Sequence, residues 1–271
     1  SSSKKLYGMA TYQPFQQQLY RPPHAVALNA PLIVDGFVKI PLAVSLQHFS
    51  KLPQQEFSAV MTCNKNHLLY EQNWGAVSVC DLIRQVQPTL QARFIQFIGA
   101  DGYNTSLPLE DAQHAFIATH CNQQPLTQAQ GGSYRLIVRG RYGYKQPKWL
   151  TQIYFVATPT LGFWEQRGAP PDGWVAPQST LEQIQIAGDN VILKGVAWGG
   201  KHPLQSVLIT LDGETALAQL TQDGSSSLYH WALAWQPKQR RTFHVQVCAV
   251  NIEGEHEPSS SQPKRSVKVS A

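Results

Sequence analysis

The sequence predicts an α+β protein in which a mixed α/β first part is followed by an all-β second part. Short β-branched and aromatic runs alternate with Gly, Pro, Asn and Asp along the 271 residues, whereas helical periodicity is confined to a few windows of the first part. The remainder of the chain shows strand patterns alone. A chain of this length, with 42% hydrophobic residues, can bury more than one core.

The first part contains one strand of particular interest and two candidate helices. The run "EFSAVMTC" (56–63) predicts a strand that ends at Cys63, and the Asn-Lys-Asn that follows predicts a turn. A side chain at the carboxyl end of a strand often faces a cleft. The alternative is a buried, inert Cys63, because free cysteines are among the most buried residues. The windows "CDLIRQV" (80–86) and "LEDAQHAFIATH" (109–120) predict helices.

The second part begins after a segment rich in Pro and Gly, "GAPPDGWVAPQST" (168–180), which predicts a domain boundary between 1–172 and 173–271. Beyond it, four alternating runs predict antiparallel strands: "NVILKGVAW", "SVLITLDG", "YHWALAW" and "FHVQVCAVN". Asp-Gly at 212–213 and Asp-Gly-Ser at 223–225 predict turns, because glycine accepts a positive φ. Strands at such short spacing are typical of an antiparallel sandwich.

The composition argues against several classes of protein. The formal charge is +5 and the pI is about 9.0, and the basic residues are spread along the chain without dense clusters. Such a distribution suits the binding of anionic small molecules or an acidic partner better than the binding of nucleic acid. No run approaches the roughly 18 apolar residues of a membrane span, and the start lacks a signal pattern, so we expect a soluble mature protein. Cys80, Cys121 and Cys248 lack the spacing of a zinc site or a disulfide framework, and we expect them in the core.

Several motifs follow one another in a fixed order along the first part. Val34-Asp35-Gly36 predicts a turn after a strand, Leu52-Pro53 follows a second strand, and Cys63 lies three residues before Asn66. The stretch 31–66 thereby resembles the start of the molybdenum domain of the sulfite oxidase family, with its V-D-G, L-P and C-x-x-N motifs. Five further segments are similar to motifs of that family in the same order: "WGAVSVCDLI" (74–83), "YNTSLPL" (103–109), "NQQPL" (122–126), "GGSYRLIVRGRYGYKQPKWL" (131–150) and "GFWEQRG" (162–168).

The second part also resembles this family. "ILKGVAWGG" (192–200), "SVLITLDG" (206–213) and "VCAVNIEGEHEP" (247–258) look like its immunoglobulin-like dimerisation domain. The resemblance therefore covers nearly the whole chain. It implies a mixed α/β molybdopterin-binding domain of the sulfite oxidase type, followed by an all-β immunoglobulin-like sandwich, and it implies a homodimer.

The resemblance implies a molybdenum cofactor in which the dithiolene sulfurs of a pterin, molybdopterin, hold the metal. Cys63 would supply the only protein bond to the metal, and a thiolate is a suitable soft, anionic donor. Asn66 of the C-x-x-N motif and Gln130, which stands where the family has a histidine, would contact the cofactor. Tyr103 matches a tyrosine whose hydroxyl reaches the oxo ligand or the substrate and stabilises developing charge. The alternative is a core tyrosine.

Basic residues in the family's last long motif would bind the phosphate tail of the cofactor. Arg135, Lys145 and Lys148 stand at these positions, and guanidinium and ammonium groups pair well with phosphate. The alternative is a solvated strand edge with ordinary surface charges, which we expect for Arg139 and Arg141. For Lys148, which precedes a tryptophan, we favour cofactor binding.

The residues that would receive the substrate depart from the pattern of the family. Upstream of the V-D-G turn, "YRPPHAV" replaces the family's R-N-H, so Arg21 would contact the substrate and His24 the cofactor. In the second part, Lys201 or His202 follows "AWGG" where the family has an arginine. "CNKNHL" lacks both arginines of the family's C-A-G-N-R-R. A lysine has no pair of parallel donors and holds an oxyanion less rigidly than an arginine.

The activity that the resemblance implies is oxygen-atom transfer, with the oxidation of sulfite to sulfate as the commonest reaction. The departures leave two alternatives: a reductive enzyme acting on a sulfoxide or nitrate, and a non-catalytic member with an empty pocket. The sequence contains no C-x-x-C-H haem motif and no recognisable flavin segment, so electrons would pass to an external carrier such as a c-type cytochrome. We expect a periplasmic protein, because bacterial members are often exported folded with the cofactor inserted.

Overall fold

The structure, a computed structural model, describes four stretches of the chain. These stretches are residues 30–63, 68–187, 190–239 and 241–269. They are rich in strands, contain two short α-helices and divide into two compact units. The first unit consists of 30–55, 75–138 and 144–171, and the second unit consists of the described residues of 56–74, 139–143 and 172–269.

The elements of the first part of the chain alternate strands with short helices. In chain order they are β1 (Leu32–Gly36), β2 (Leu42–Val44), α1 (Leu46–Phe49), β3 (Gln54–Cys63), β4 (Leu68–Ser78), α2 (Val79–Val86), β5 (Phe94–Gly99), β6 (Asn104–Pro108), β7 (Ala115–Cys121), β8 (Gln124–Pro125), β9 (Arg135–Val138) and β10 (Leu150–Val156). Single 3₁₀ turns lie at Leu109–His114, Gly143–Lys145 and Glu165–Arg167.

The described elements that follow are all strands. They are β11 (Gln178–Ser179), β12 (Gln183–Ala187), β13 (Asn190–Trp198), β14 (Leu204–Leu211), β15 (Glu214–Leu217), β16 (Gln219–Gln222), β17 (Tyr229–Trp235), β18 (Thr242–Asn251) and β19 (Lys264–Lys268). The predicted runs of the second part are confirmed as strands: β13 and β17 coincide with them, and β14 and β18 differ only at their ends.

A five-stranded mixed sheet forms the centre of the first unit. Its order is β2-β1-β10-β5-β6, with β1 parallel to β10 and the other neighbours antiparallel. Buried and half-buried side chains alternate along β5, so that Ile95 and Phe97 face the core. Val34 of β1 and Ile153 and Phe155 of β10 belong to the same core cluster. This sheet fixes the position of the turn between β5 and β6.

The helix α2 confirms the first helical prediction. Its N-cap is Ser78, whose hydroxyl accepts a hydrogen bond from the backbone N–H of Cys80 at 3.2 Å, and Asp81 lies favourably in its first turn. The helix ends where Gln87 adopts a left-handed conformation with φ of 51°. Within the described residues, no helix is long and apolar enough to cross a bilayer.

The second helical prediction is wrong over most of its length. Only Leu109–His114 forms a 3₁₀ turn, and the rest of the window, 115–120, lies in β7. The first five residues of β7 are buried in succession, because the strand is covered on both faces and pairs with β9. A strand buried on both faces shows no alternation, so its apolar run is easily taken for part of a helix.

The V-D-G turn requires its glycine. Gly36 ends β1 with φ of +100°, and a Cβ at this position would lie 2.3 Å from the backbone oxygen of Phe155. The turn thus brings the chain into contact with β10, at a distance that only glycine permits. This contact gives the sequence motif a structural reason.

The second unit contains two antiparallel sheets that share one core. Their orders are β11-β13-β17-β16, with β12 also on β13, and β15-β14-β18-β19. Leu193 and Trp231 of the first sheet and Ile209 and Val247 of the second belong to the same buried cluster. The predicted turn at 212–213 connects β14 to β15 and has positive φ at both residues. The immunoglobulin-like topology and its use in dimerisation stay predictions.

Candidate cofactor and substrate site

The turn between β5 and β6 positions Tyr103 in the first unit. The backbone N–H of Gly99 donates to the carbonyl of Tyr103 at 2.8 Å, and Gly102, with φ of +81°, donates to the carbonyl of Gly99 at 3.0 Å. The carboxylate of Asp101 accepts a hydrogen bond from the backbone N–H of Tyr103 at 3.1 Å. The tyrosine side chain is buried. Its backbone is therefore fixed by a closed turn at the end of the central sheet.

The Tyr103 hydroxyl donates a hydrogen bond to the backbone carbonyl of Tyr144 at 2.6 Å. Tyr144 lies in the 3₁₀ turn Gly143–Lys145, and its own hydroxyl donates to the carbonyl of Pro170 at 2.8 Å. A phenol has a single proton to donate but two lone pairs that accept. In this arrangement the Tyr103 oxygen can meet a further group only as an acceptor.

The ammonium group of Lys145 is held inside the first unit. It donates to the carboxylate of Glu165 at 2.9 Å and to the backbone carbonyl of Ser106 at 2.7 Å. The hydroxyl of Thr105 donates to the same Glu165 oxygen at 2.7 Å. These acceptors are internal to the unit. The prediction that Lys145 binds the cofactor stays a prediction, although these contacts are those of a structural ion pair.

The structure brings Gln130, Arg135 and Lys148 together. The Lys148 ammonium donates to the carbonyl of Ala129 at 2.7 Å, and the Arg135 guanidinium donates to the carbonyl of Gln130 at 2.9 Å. The Gln130 side-chain oxygen accepts from the backbone and hydroxyl of Thr127, at 3.0 Å each, and so closes its own turn. We refer to Arg135 and Lys148 as the basic pair. Backbone carbonyls hold both cations in one place.

The electrostatics of the basic pair favour an anion. Burial lowers the pKa of Lys148, the Arg135 charge lowers it further, and the Asp101 carboxylate opposes both effects. Burial raises the pKa of Asp101 to about 6, against the opposing hydrogen bond from Tyr103. The two cations thus repel each other, and below about pH 6 their neighbouring carboxyl group is mostly neutral. Bound phosphate or another anion would relieve this repulsion.

Two glycines let the chain close around Lys148. Gly131 has φ of +103°, and a Cβ there would lie 2.8 Å from the Cβ of Lys148. A Cβ on Gly99 would lie 2.6 Å from the Lys148 carbonyl oxygen. The indole N–H of Trp149 donates to the carbonyl of Gln128 at 2.7 Å. The family-like segment 131–150 therefore folds back on itself and packs against the β5–β6 turn.

Cys63 is confirmed as the last residue of β3, and it belongs to the second unit. Three other predicted residues, Arg21, His24 and Asn66, lie outside the residues that the structure describes. Among the described residues, no group of three or more His, Cys, Asp or Glu side chains could hold a metal ion. The thiolate of Cys63 is a soft, anionic donor, and it matches a metal to which a dithiolene already supplies sulfur ligands. The donor set fits the expected cofactor.

Lys201 lies in the second unit beside Trp174. Its backbone N–H donates to the carbonyl of Val175 at 2.9 Å, and its ammonium nitrogen lies 5.2 Å from the Trp174 ring centroid. Arg141 approaches the same ring at 3.8 Å and donates to the carbonyl of Asp172. The expectation that Arg141 is a surface charge is wrong, because its side chain is fully buried. The ring and the carbonyl offer it a site inside the unit.

Sequence reasoning missed two residues of this region. Asp101 contacts the backbone of Tyr103 and lies close enough to Lys148 to alter its pKa, and Glu165 neutralises Lys145. A signal existed for Asp101, because an aspartate two residues before a fixed tyrosine is typical of a side chain that closes a turn. Glu165 lies in the motif "GFWEQRG", but the motif does not show which cation it meets.

Comparison with known proteins gives several similarities. Residues 22–164 match the model of the oxidoreductase molybdopterin binding domain family. The chain is 29% identical over 139 residues to the uncharacterized oxidoreductase YuiH of Bacillus subtilis, which covers 51% of this chain and 70% of that protein. It is 23% identical over 282 residues to the mitochondrial sulfite oxidase of Rattus norvegicus, which covers 82% of this chain and 52% of that protein. The chain thus spans about half the length of this sulfite oxidase.

Two further similarities concern a reductase and a solved structure. The chain is 27% identical over 167 residues to the NADPH nitrate reductase of Beauveria bassiana, which covers 51% of this chain and 19% of that protein. It is similar in structure to the sulfane dehydrogenase SoxCD of Paracoccus pantotrophus, with a TM-score of 0.77 and 19% identity, over 90% of this chain and 77% of that chain. The structural similarity shows a shared fold.

Proposed function

This chain belongs to the oxidoreductase molybdopterin binding domain family, and on this premise we propose that it transfers an oxygen atom in the oxidation of sulfite to sulfate. Its cofactor is molybdenum bound by molybdopterin. When bound, this cofactor supplies two-electron redox chemistry and exchange of an oxygen atom. The protein contributes binding, orientation and electrostatics.

The observation that carries this proposal is the basic pair. Arg135 and Lys148 are fixed by carbonyls of the 129–130 backbone, and the charge of Arg135 lowers the pKa of the half-buried Lys148. The phosphate of molybdopterin matches such a pair of cations. We assign the phosphate contacts to these two residues. We assign the metal bond to Cys63, because a thiolate suits a metal that already carries sulfur ligands.

Tyr103 has the role of a substrate-contacting residue in this proposal. Its phenol is held by the bond to the Tyr144 carbonyl, which gives the hydroxyl one resting orientation before a substrate binds. When the phenol turns from this carbonyl to an oxyanion, its proton stabilises the negative oxygen of the product. Arg21 and Lys201 would attract the anionic sulfite, as the family's arginines would.

Sulfite is preferred as the substrate because of the extent of the alignments. The rat sulfite oxidase aligns with 82% of the chain, whereas the nitrate reductase aligns with 51%. A reductive enzyme that acts on nitrate or a sulfoxide is the second candidate. Two observations favour it: the similarity to a nitrate reductase, and the lysine at position 201 where the sulfite enzymes have an arginine. A non-catalytic member with an empty pocket is the third.

Further parts of the proposal concern partners, assembly and compartment. Electrons would pass to an external carrier such as a c-type cytochrome. The second unit, with its two antiparallel sheets around one core, would be an immunoglobulin-like domain that forms a homodimer. A periplasmic location agrees with delivery of electrons to a cytochrome of that compartment.

A turnover assay tests the proposed function. The protein would be purified from a host that makes molybdopterin, and the reduction of ferricyanide or cytochrome c would be followed with and without sulfite. We expect reduction that depends on sulfite. In a parallel assay, reduced viologen would be the donor and nitrate or methionine sulfoxide the acceptor. Turnover only in the second assay would replace sulfite oxidation by the reductive candidate, and turnover in neither would contradict both.

A further inference from the structure

The ion pair between Lys145 and Glu165 is buried on both sides. The ammonium nitrogen lies 2.9 Å from the carboxylate oxygen, and each side chain is only 1% exposed. Removal of two charges from water is costly, and their mutual attraction offsets this cost only in good geometry with further hydrogen bonds. We therefore expect this buried ion pair to have a specific role in the structure.

The pair connects three segments of the first unit. Lys145 follows Tyr144 in the 3₁₀ turn, and its ammonium donates to the carbonyl of Ser106 in β6 at 2.7 Å. Glu165 accepts from Thr105 of the same strand at 2.7 Å. The Ser106 hydroxyl donates to the Thr160 carbonyl and accepts from the Thr160 N–H, at 3.0 Å each. The turn, the strand and the 160–165 segment are thereby joined around the two charges.

Both ends of the bond between Tyr103 and Tyr144 depend on these anchored segments. Tyr103 directly precedes β6, and Tyr144 directly precedes the buried lysine. We propose that the Lys145–Glu165 pair positions Tyr103. By fixing the segment that contains Tyr144, it holds the Tyr144 carbonyl at the tyrosine hydroxyl, and it thereby determines the orientation of the phenol and the group to which the phenol donates its proton. This inference rests on the proposed function, in which Tyr103 contacts the substrate.

Glu165 is closely packed against the backbone of Gly162. A Cβ on Gly162 would lie 2.6 Å from the second carboxylate oxygen of Glu165 and 2.2 Å from the backbone oxygen of Asn104. The carboxylate therefore lies close to the backbone of position 162, where only a glycine leaves space for it. Its hydrogen bonds connect the ion pair to Thr105 and Ser106 of β6, the strand that follows Tyr103.

The inference gives Lys145 a different role from Lys148. Lys148 is half-buried in the basic pair, whereas Lys145 has its charge neutralised inside the unit. Loss of Lys148 should release the cofactor. Loss of Lys145 or Glu165 should leave the cofactor bound but loosen Tyr103. These two outcomes can be measured separately.

The experiment compares Lys145→Met, Glu165→Gln and their combination with Lys148→Met as the matched control. The first readout is molybdenum and pterin per folded chain. The second is the NMR signal of ¹³Cζ-labelled tyrosine, with the Tyr103 resonance assigned by its loss in Tyr103→Phe, in protein without cofactor. The double variant leaves no unpaired charge in the interior, so it should fold even if a single variant does not.

We expect Lys145→Met, Glu165→Gln and the double variant to retain the cofactor and to shift the Tyr103 resonance. Lys145→Arg, which keeps the positive charge, should leave the Tyr103 resonance at its wild-type position. Lys148→Met should lose cofactor and leave that resonance in place. In loaded enzyme, misplacement of the phenol should lower kcat by about tenfold to a hundredfold in the Lys145 and Glu165 variants.

Two results would overturn the inference. One is a Tyr103 resonance that stays unchanged in the double variant, because the pair would then have no effect on the phenol. The other is a loss of cofactor from Lys145→Met as large as that from Lys148→Met, which would make Lys145 a cofactor ligand. Failure of the proposed function is a separate outcome, since it appears as absence of turnover in the wild-type protein, whereas the NMR readout needs no turnover.

Discussion

Glu257 is expected to make the stability of the second unit depend on pH. Its side chain is 2% exposed and accepts hydrogen bonds from the hydroxyl of Ser179 at 2.5 Å, from the backbone N–H of Ser179 at 3.1 Å and from that of Ala249 at 3.1 Å. Burial nevertheless raises the pKa of Glu257 from 4.5 to about 7. Burial raises the pKa values of Tyr142 and Cys248, and the charge of Glu257 adds to both shifts.

The direction of the effect follows from the raised pKa. The folded protein keeps the proton of Glu257 up to about pH 7, whereas the unfolded chain loses it near pH 4.5. Stability is therefore greatest below pH 4.5 for this group and falls as the pH rises to about 7. With these two pKa values, the free energy of unfolding should decrease by about 2.5 kcal/mol between pH 5 and pH 8 because of Glu257 alone.

Urea unfolding of the wild-type protein and Glu257→Gln at pH 5 and pH 8 measures this effect. Other groups titrate in the same range, but they are common to both proteins and cancel in the difference. The stability of the variant relative to wild type should rise by about 2.5 kcal/mol between the two pH values. Glu253→Gln, which changes an exposed carboxylate of the same turn, should show no such rise. Equal pH dependence in the wild type and Glu257→Gln would refute the reasoning.

Two further predictions concern the first unit and its turns. Gly36→Ala should lower the free energy of unfolding by about 3 kcal/mol, because the added Cβ clashes with the Phe155 backbone at a position whose φ is +100°. Gly213→Ala is the control: its φ is +94° but the space around it is open, so it should lower the free energy of unfolding by about 1 kcal/mol. Equal losses of the two variants in urea unfolding would contradict this prediction. Sulfate binding to the cofactor-free protein should tighten a few-fold as the pH falls through about 6, since Asp101 beside Lys148 becomes neutral. Asp101→Asn should bind sulfate tightly at both pH values in calorimetry, and an unchanged pH dependence would contradict the assignment.

The sequence allowed close prediction of the strands of the second unit. β13 and β17 have the predicted bounds, because alternation along a strand is a local property of the sequence. β7 was mistaken for a helix, because burial on both faces removes the alternation. The membership of 56–74 and 139–143 in the second unit depends on contacts far apart in the chain, which a boundary drawn along the sequence does not contain.

The candidate site was predictable in its residue types but not in its partners. The segment 131–150 identified Arg135, Lys145 and Lys148 together, yet only the fold separates them. Lys148 lies beside the β5–β6 turn, where the Ala100 N–H donates to the carbonyl of the next residue, Trp149, at 2.8 Å. The acidic partners lie at large sequence separation, as Glu165 does from Lys145. The burial of charges is likewise a property of the packed unit and is not visible in local composition.

The central claim is that this chain carries molybdenum and binds it through Cys63. X-ray absorption at the molybdenum edge, on protein from a host that makes molybdopterin, tests this claim most directly. The account predicts about one molybdenum per chain, with one sulfur ligand fewer in Cys63→Ser than in the wild type and no change in Cys121→Ser. The same number of sulfur ligands in Cys63→Ser and the wild type, or no molybdenum in the wild-type protein, would contradict it.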